Sequence, residues 1–243
     1  MDVRPSPAIE DSFHGRVVAA RHFSHTRDLG SNRLPDRGAV AIGYSRLDSY
    51  GCHTLESLQC LVERRKGGET GVRWVQCLQG EAIWNAVDQG LVRKDLIAAA
   101  LSAIPSDKKT PLAMRENPQA ALFLFQYNDG LLGSVLMLLG TAEAISVALK
   151  IKGQPQPLAS WFEERREPNV PHFAYLLKAI ERFIHAGRPS YPVERTLLIS
   201  GILDRALTSR YEEQRRLMTP ELAIHYQPTN YPHAPQPDLY TDV

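Results

Sequence analysis

Cysteine is scarce in this chain. Cys52, Cys60 and Cys77 are the three among 243 residues, an odd count with no CxxC pair, which fits a reducing compartment better than a disulfide framework and gives no zinc-type spacing. An excess of charge of one sign is lacking as well. Lysine and arginine total 28 against 27 acidic residues, a formal net charge of +1, so there is no electrostatic argument for nucleic acid or an anionic membrane as partner. No stretch approaches the roughly 18 apolar residues of a membrane span. The opening residues MDVRPSPAIEDSFHGR lack the apolar core of a signal peptide. The expectation is a soluble, cytoplasmic protein with no membrane or nucleic-acid partner.

Several chemical signatures are missing too. The sequence holds no GxGxxG or GxxxxGK[ST] phosphate cradle, no GxSxG elbow and no HExxH metal motif. The glycine-rich string KGGETGV, from Lys66 to Val72, runs from a predicted helix into a predicted strand. That is the reverse of the order that aims a helix N-terminus at a phosphate, and it reads as a capped turn. His22 and His25 have no third ligand nearby and make no closed metal site. No metal is expected.

What is present is a patterned body between two unpatterned ends. Residues 1–38 are polar and turn-rich and read as an irregular arm, residues 39–226 as one domain, and residues 227–243 as a proline-rich tail. AVAIGY, from Ala39, predicts a strand leading into a helix over about Gly51 to Arg65, closed by Lys66-Gly67-Gly68. VRWVQCLQG predicts a second strand, and EAIWNAVDQGLVRKDLIAAALSAI one or two helical segments around Gly90. Two apolar runs flank Asn128-Asp129-Gly130, a hairpin signal, and AISVALKIKG supplies a third strand of an antiparallel meander. VPHFAYLLKAIERFIHAG and VERTLLISGILDRALTSR close the body as two helices. The fold class expected is α+β, a mostly antiparallel open sheet with helices packed on one face. Its other face is then left for a ligand, for an oligomer or for solvent.

Without a nucleophile or metal signature, the chemistry open to the chain is acid/base work by side chains of suitable pKa. On a helical wheel Leu55, Leu58, Leu61 and Val62 form one stripe and His53, Glu56, Ser57 and Cys60 the other. His53 and Glu56 are i, i+3 neighbours, either a solvated surface pair or a base with its orienting acid. His172 opens the first closing helix, and Tyr191, Glu194 and Arg195 cluster in SYPVERT. An arginine there suits a substrate carboxylate or hydroxyls, or a surface ion pair.

The strand, the turn, the string Ser49-x-Gly51-x-His53-x-x-Glu56, the following strand and the hairpin YNDGLLGSVLML together resemble the C-terminal domain of the Gfo/Idh/MocA oxidoreductases, whose motif is D-x-G-x-H-x-x-D. The closing helices with their AGRPSYP linker are similar as well, so the resemblance spans roughly residues 39 to 218. It implies hydride transfer between a nicotinamide and an alcohol of a sugar or cyclitol. His53 would handle the alcohol proton and Glu56 would orient it, while His172, Tyr191 and Arg195 would bind substrate. Two departures matter: Ser49 stands where the family has its first aspartate, and only some 38 unpatterned residues stand where the family has a Rossmann domain. NAD or NADP is therefore implied only with a Rossmann partner chain, together with a homo-oligomer formed through the sheet face. The alternative is a non-enzymatic assembly or ligand-binding module.

Overall fold

Small and β-branched residues fill Ala39–Gly43, and in the computed structural model this run is a strand buried along its whole length. The structure describes residues 8–9, 38–110, 112–151, 153–162, 164, 173–189 and 191–229. Most of the expected arm and tail, residues 10–37 and 230–243, lies outside that set.

Among the described residues one sheet is built from β1 (Ala8–Ile9), β2 (Ala39–Gly43), β3 (Val72–Gln79), β4 (Ala121–Tyr127), β5 (Leu132–Met137), β6 (Ile145–Leu149), β7 (Leu158–Phe162) and β8 (Leu217–Met218). Their spatial order is β1-β7-β6-β2-β5-β4-β3-β8. Only β1–β7 and β2–β5 pair in parallel, and the other neighbours are antiparallel. The hairpin falls where its turn residues predict it. Gly130, at φ 91°, donates its N–H to the Tyr127 carbonyl at 2.9 Å, and Asp129 accepts from the Leu131 N–H at 3.2 Å.

The expected meander is corrected. β6 does not follow β5 in space, because β2 lies between them, with Ala41 opposite Val135 on one side and Val147 on the other. A short strand that is apolar on both faces belongs at the centre of a sheet, where neither face meets water. Its partners lie about a hundred residues away, and local periodicity carries no record of them.

Among the described residues there are five α-helices, α1 (Ser49–Val62), α2 (Glu81–Asp88), α3 (Lys94–Ala103), α4 (Phe173–Ala186) and α5 (Val193–Tyr211). The class is α+β with a mostly antiparallel open sheet. Helices, however, lie on both faces. Ala39 and Ala41 of β2 join a core with Leu55 and Leu58 of α1 and Leu198 and Ile202 of α5. Val40 and Ile42 point the other way, into a second core with Ile83 of α2 and Leu96 and Ile97 of α3. The apolar stripes of α2 and α3 need a surface to cover, and the second sheet face supplies it. α4 keeps Leu177, Ile180, Phe183 and Ile184 exposed. No helix among the described residues is long and apolar enough to cross a membrane.

Candidate functional site

The motif sits where β2 hands over to α1. A Cβ added at Gly43 would collide with Thr54 and Met137, so glycine at the end of β2 lets α1 settle closely over the sheet. Ser45 then turns the chain at φ 65°, and Asp48 caps α1 by accepting from the Ser49 N–H at 2.8 Å. At Gly51 an added Cβ would lie 3.1 Å from Phe123 and 3.2 Å from Leu203. The motif glycine is thus fixed by packing of α1 against β4 and α5.

His53, half-buried, presents its ring edge-on to Tyr50, 5.5 Å between centroids, and Tyr50 lies 4.6 Å from Tyr44. Tyr44 also hydrogen-bonds Glu164 and Tyr50 through its phenol. Burial, then the Glu164 charge, holds that phenol well above its ordinary pKa. His53 therefore opens onto an aromatic cluster at the helix start.

Glu56 faces elsewhere. It is fully buried, as are Ser57 and Cys60 of the same stripe, so the solvated face read from the wheel is corrected. α5 covers it, and the cost of burying the Glu56 carboxylate is offset by the cation that α5 brings against it. Arg195 of α5 donates from Nη1 to Glu56 at 3.0 Å and from Nε to Glu63 at 2.8 Å, and its Nη2 also binds Glu63. The guanidinium stacks 4.5 Å from the Tyr191 ring. Burial opposes its charge, but Glu56 and Glu63 outweigh that and raise its pKa well above the usual guanidinium value.

A longer polar chain continues from Glu63. Tyr226 donates its hydroxyl to Glu63 at 2.8 Å and accepts from the Gln59 side chain at 2.9 Å. Gln59 also donates to Glu69 at 2.5 Å and accepts from the Tyr127 hydroxyl at 2.6 Å. Arg65 forks onto both Glu69 oxygens at 3.0 and 3.1 Å and reaches Asp129 at 2.6 Å. This network ties α1 to α5, to the β4–β5 turn and to the segment after β8. Sequence reasoning missed Gln59, Glu63, Arg65, Glu69, Tyr127 and Tyr226. One signal was available: Glu56, Gln59 and Glu63, spaced i, i+3, i+7, fall on a single stripe of a helix otherwise rich in leucine.

Of the residues singled out from sequence, the structure brings Glu56, Tyr191 and Arg195 together and sets His53 one turn earlier on α1. His172 lies outside the described residues. Among the described residues no group of three or more side chains is arranged to hold a metal ion. A dinucleotide does not fit the β2–α1 connection either. Tyr44 to Asp48 contains no glycine, and the Asp48 carboxylate already occupies the helix N-terminus that a pyrophosphate would need.

Fold and site thus define an α+β domain with a motif-bearing helix braced by a buried ion network. No protein-family description matches the chain, and no curated protein does. Among solved structures its fold is similar to scyllo-inositol dehydrogenase from Lactobacillus casei with NAD(H) and scyllo-inositol, at TM-score 0.48 and 9% identity, over 82% of this chain and 60% of that one. It is also similar to GenD2 from gentamicin A biosynthesis in complex with NAD, at TM-score 0.47 and 12% identity, over 82% and 60%. A probable dehydrogenase from Thermotoga maritima gives TM-score 0.46 and 12% identity, over 83% and 62%. This chain spans about three fifths of the length of each of these three proteins.

Proposed function

We propose that the chain is the substrate-binding and oligomerisation domain of a Gfo/Idh/MocA-like oxidoreductase, acting with NAD or NADP held by a separate Rossmann unit. The observation that supports this is the motif in its structural setting. Gly51 is packed against Phe123 and Leu203 while His53, two residues on, stays half-exposed at the start of α1. In this reading the nicotinamide exchanges hydride with a secondary alcohol of a sugar or cyclitol, and His53 takes or returns the alcohol proton. Arg195 has its Nε, Nη1 and Nη2 committed to Glu56 and Glu63, so Glu56 and Arg195 act as positioning residues that hold α1 in place. Tyr191 and His172 are left to meet substrate hydroxyls. The protein works as a cytoplasmic homo-oligomer.

The test combines fluorescence titration with NADH and NADPH and saturation-transfer NMR with cyclitols and hexoses. The chain alone should bind no nicotinamide, and cyclitol binding should vanish in His53→Ala with an unchanged melting temperature. Tight NADH binding by the chain alone, or polyol binding that His53→Ala leaves intact, would overturn the proposal.

A second reading, a non-enzymatic assembly module, is favoured by the apolar residues that α4 exposes and by Ser49 at the position of the family's aspartate. It requires that Leu177→Glu with Ile184→Glu dissociate an oligomer on light scattering while no polyol binds.

A further inference from the structure

At the β2–α1 connection, just before the motif, lies a pocket of about 450 Å3 where β2, β3 and β5 end. Leu47, Leu139 and Leu207 supply apolar lining, and Arg46 and Arg210 are the two cationic residues that line it. Arg210 is held by its Nε, which donates to Gln79 at 3.0 Å. Gln79 is itself anchored, its backbone N–H donating to the Gln214 side chain at 2.9 Å. Arg46, among the described residues, has no ion pair or side-chain hydrogen bond. Ser45, another lining residue, holds a left-handed φ of 65° without being glycine. Backbone in that sparsely populated region collects at binding sites, where surrounding structure enforces it.

Asp48 is the acidic residue in the lining, so two arginines and one carboxylate leave a formal charge of +1. A dianion would be only half neutralised and would face Asp48, whereas a monoanion matches. The guanidinium fork fits a planar carboxylate bidentately, and the leucines favour carbon over further polar groups.

We propose that this pocket binds a small organic monocarboxylate, its carboxylate between Arg46 and Arg210 and its carbon skeleton on the leucine lining. The proposal stands apart from the oxidoreductase reading, since His53 is not among the residues that line the pocket. Hexanoate and benzoate are suitable probes of the full chain, with hexanol and benzyl alcohol as neutral counterparts, followed by 1H–15N shift mapping and calorimetry at pH 7. The carboxylates should bind with shifts centred on Ser45 to Asp48 and Gln79. Their affinity should fall at least tenfold in the Arg46→Gln, Arg210→Gln double variant, whose melting temperature should match the wild type. No carboxylate binding, equal binding of the alcohols, shifts centred elsewhere, or wild-type affinity in the double variant would each overturn it.

Discussion

Arg195 shows how a surface-looking residue becomes interior. In sequence it sits in SYPVERT beside Glu194, where an exposed ion pair or a substrate contact is the natural reading. In the fold it is almost wholly buried, and its partners Glu56 and Glu63 are 139 and 132 residues away along the chain. Nothing local announces such a pairing, because the pull that buries the guanidinium comes from carboxylates brought over by packing. Replacing it with an apolar residue strands two buried carboxylates. Arg195→Met should lower stability by about 3–5 kcal/mol, read as a reduced urea midpoint with the m-value retained. Arg195→Lys should recover only part of this, because a single ammonium cannot reproduce the fork onto Glu63. A loss below about 1 kcal/mol in the Met variant, the range of exposed pairs, would remove the network from the fold's support.

At the scale of the element, α1 joins chemistry to packing. Its existence and its start just after a strand were legible, since turn residues and apolar spacing are local signals, whereas its capping by Asp48 came only from the structure. The role of Gly51 was visible only as a motif position, and the structure gives the reason in Phe123 and Leu203. Gly51→Val should therefore overpack the contact of α1 with β4 and α5 and cost about 1–3 kcal/mol. Thermal unfolding measures this. A variant as stable as the wild type would mean that α1 can shift, and the close-packing account of the motif glycine would fail. The covering of the second sheet face by α2 and α3 was missed for a related reason: an amphipathic helix declares that it has a buried side but not which surface buries it.

At the scale of the whole molecule, three phenols among the described residues are locked into the interior. Burial, followed by nearby carboxylates, raises the pKa of Tyr44, Tyr127 and Tyr226 well above 10. An unfolded tyrosine ionises near 10, so these groups contribute stability that is intact below that pH and is lost as pH rises past it, where the unfolded chain alone releases its protons. Spectrophotometric titration should find that these three of the nine tyrosines ionise only as the near-UV circular dichroism collapses. Nine phenols titrating normally in a chain with native dichroism would contradict the buried network around Gln59.

Composition and periodicity by themselves determined the elements: the strand–turn–helix that carries His53, the hairpin at Asn128-Asp129-Gly130, the paired helices at the end and the α+β class. Each depends on interactions within a few residues, so each leaves a local trace. Tertiary structure alone decided that β2 runs parallel to β5 at the centre of the sheet, that Glu56 serves Arg195 from a fully buried position, and that Arg46 and Arg210 flank one pocket. Those facts arise from residues far apart in sequence meeting through burial, and the free energy that selects them belongs to the packed whole.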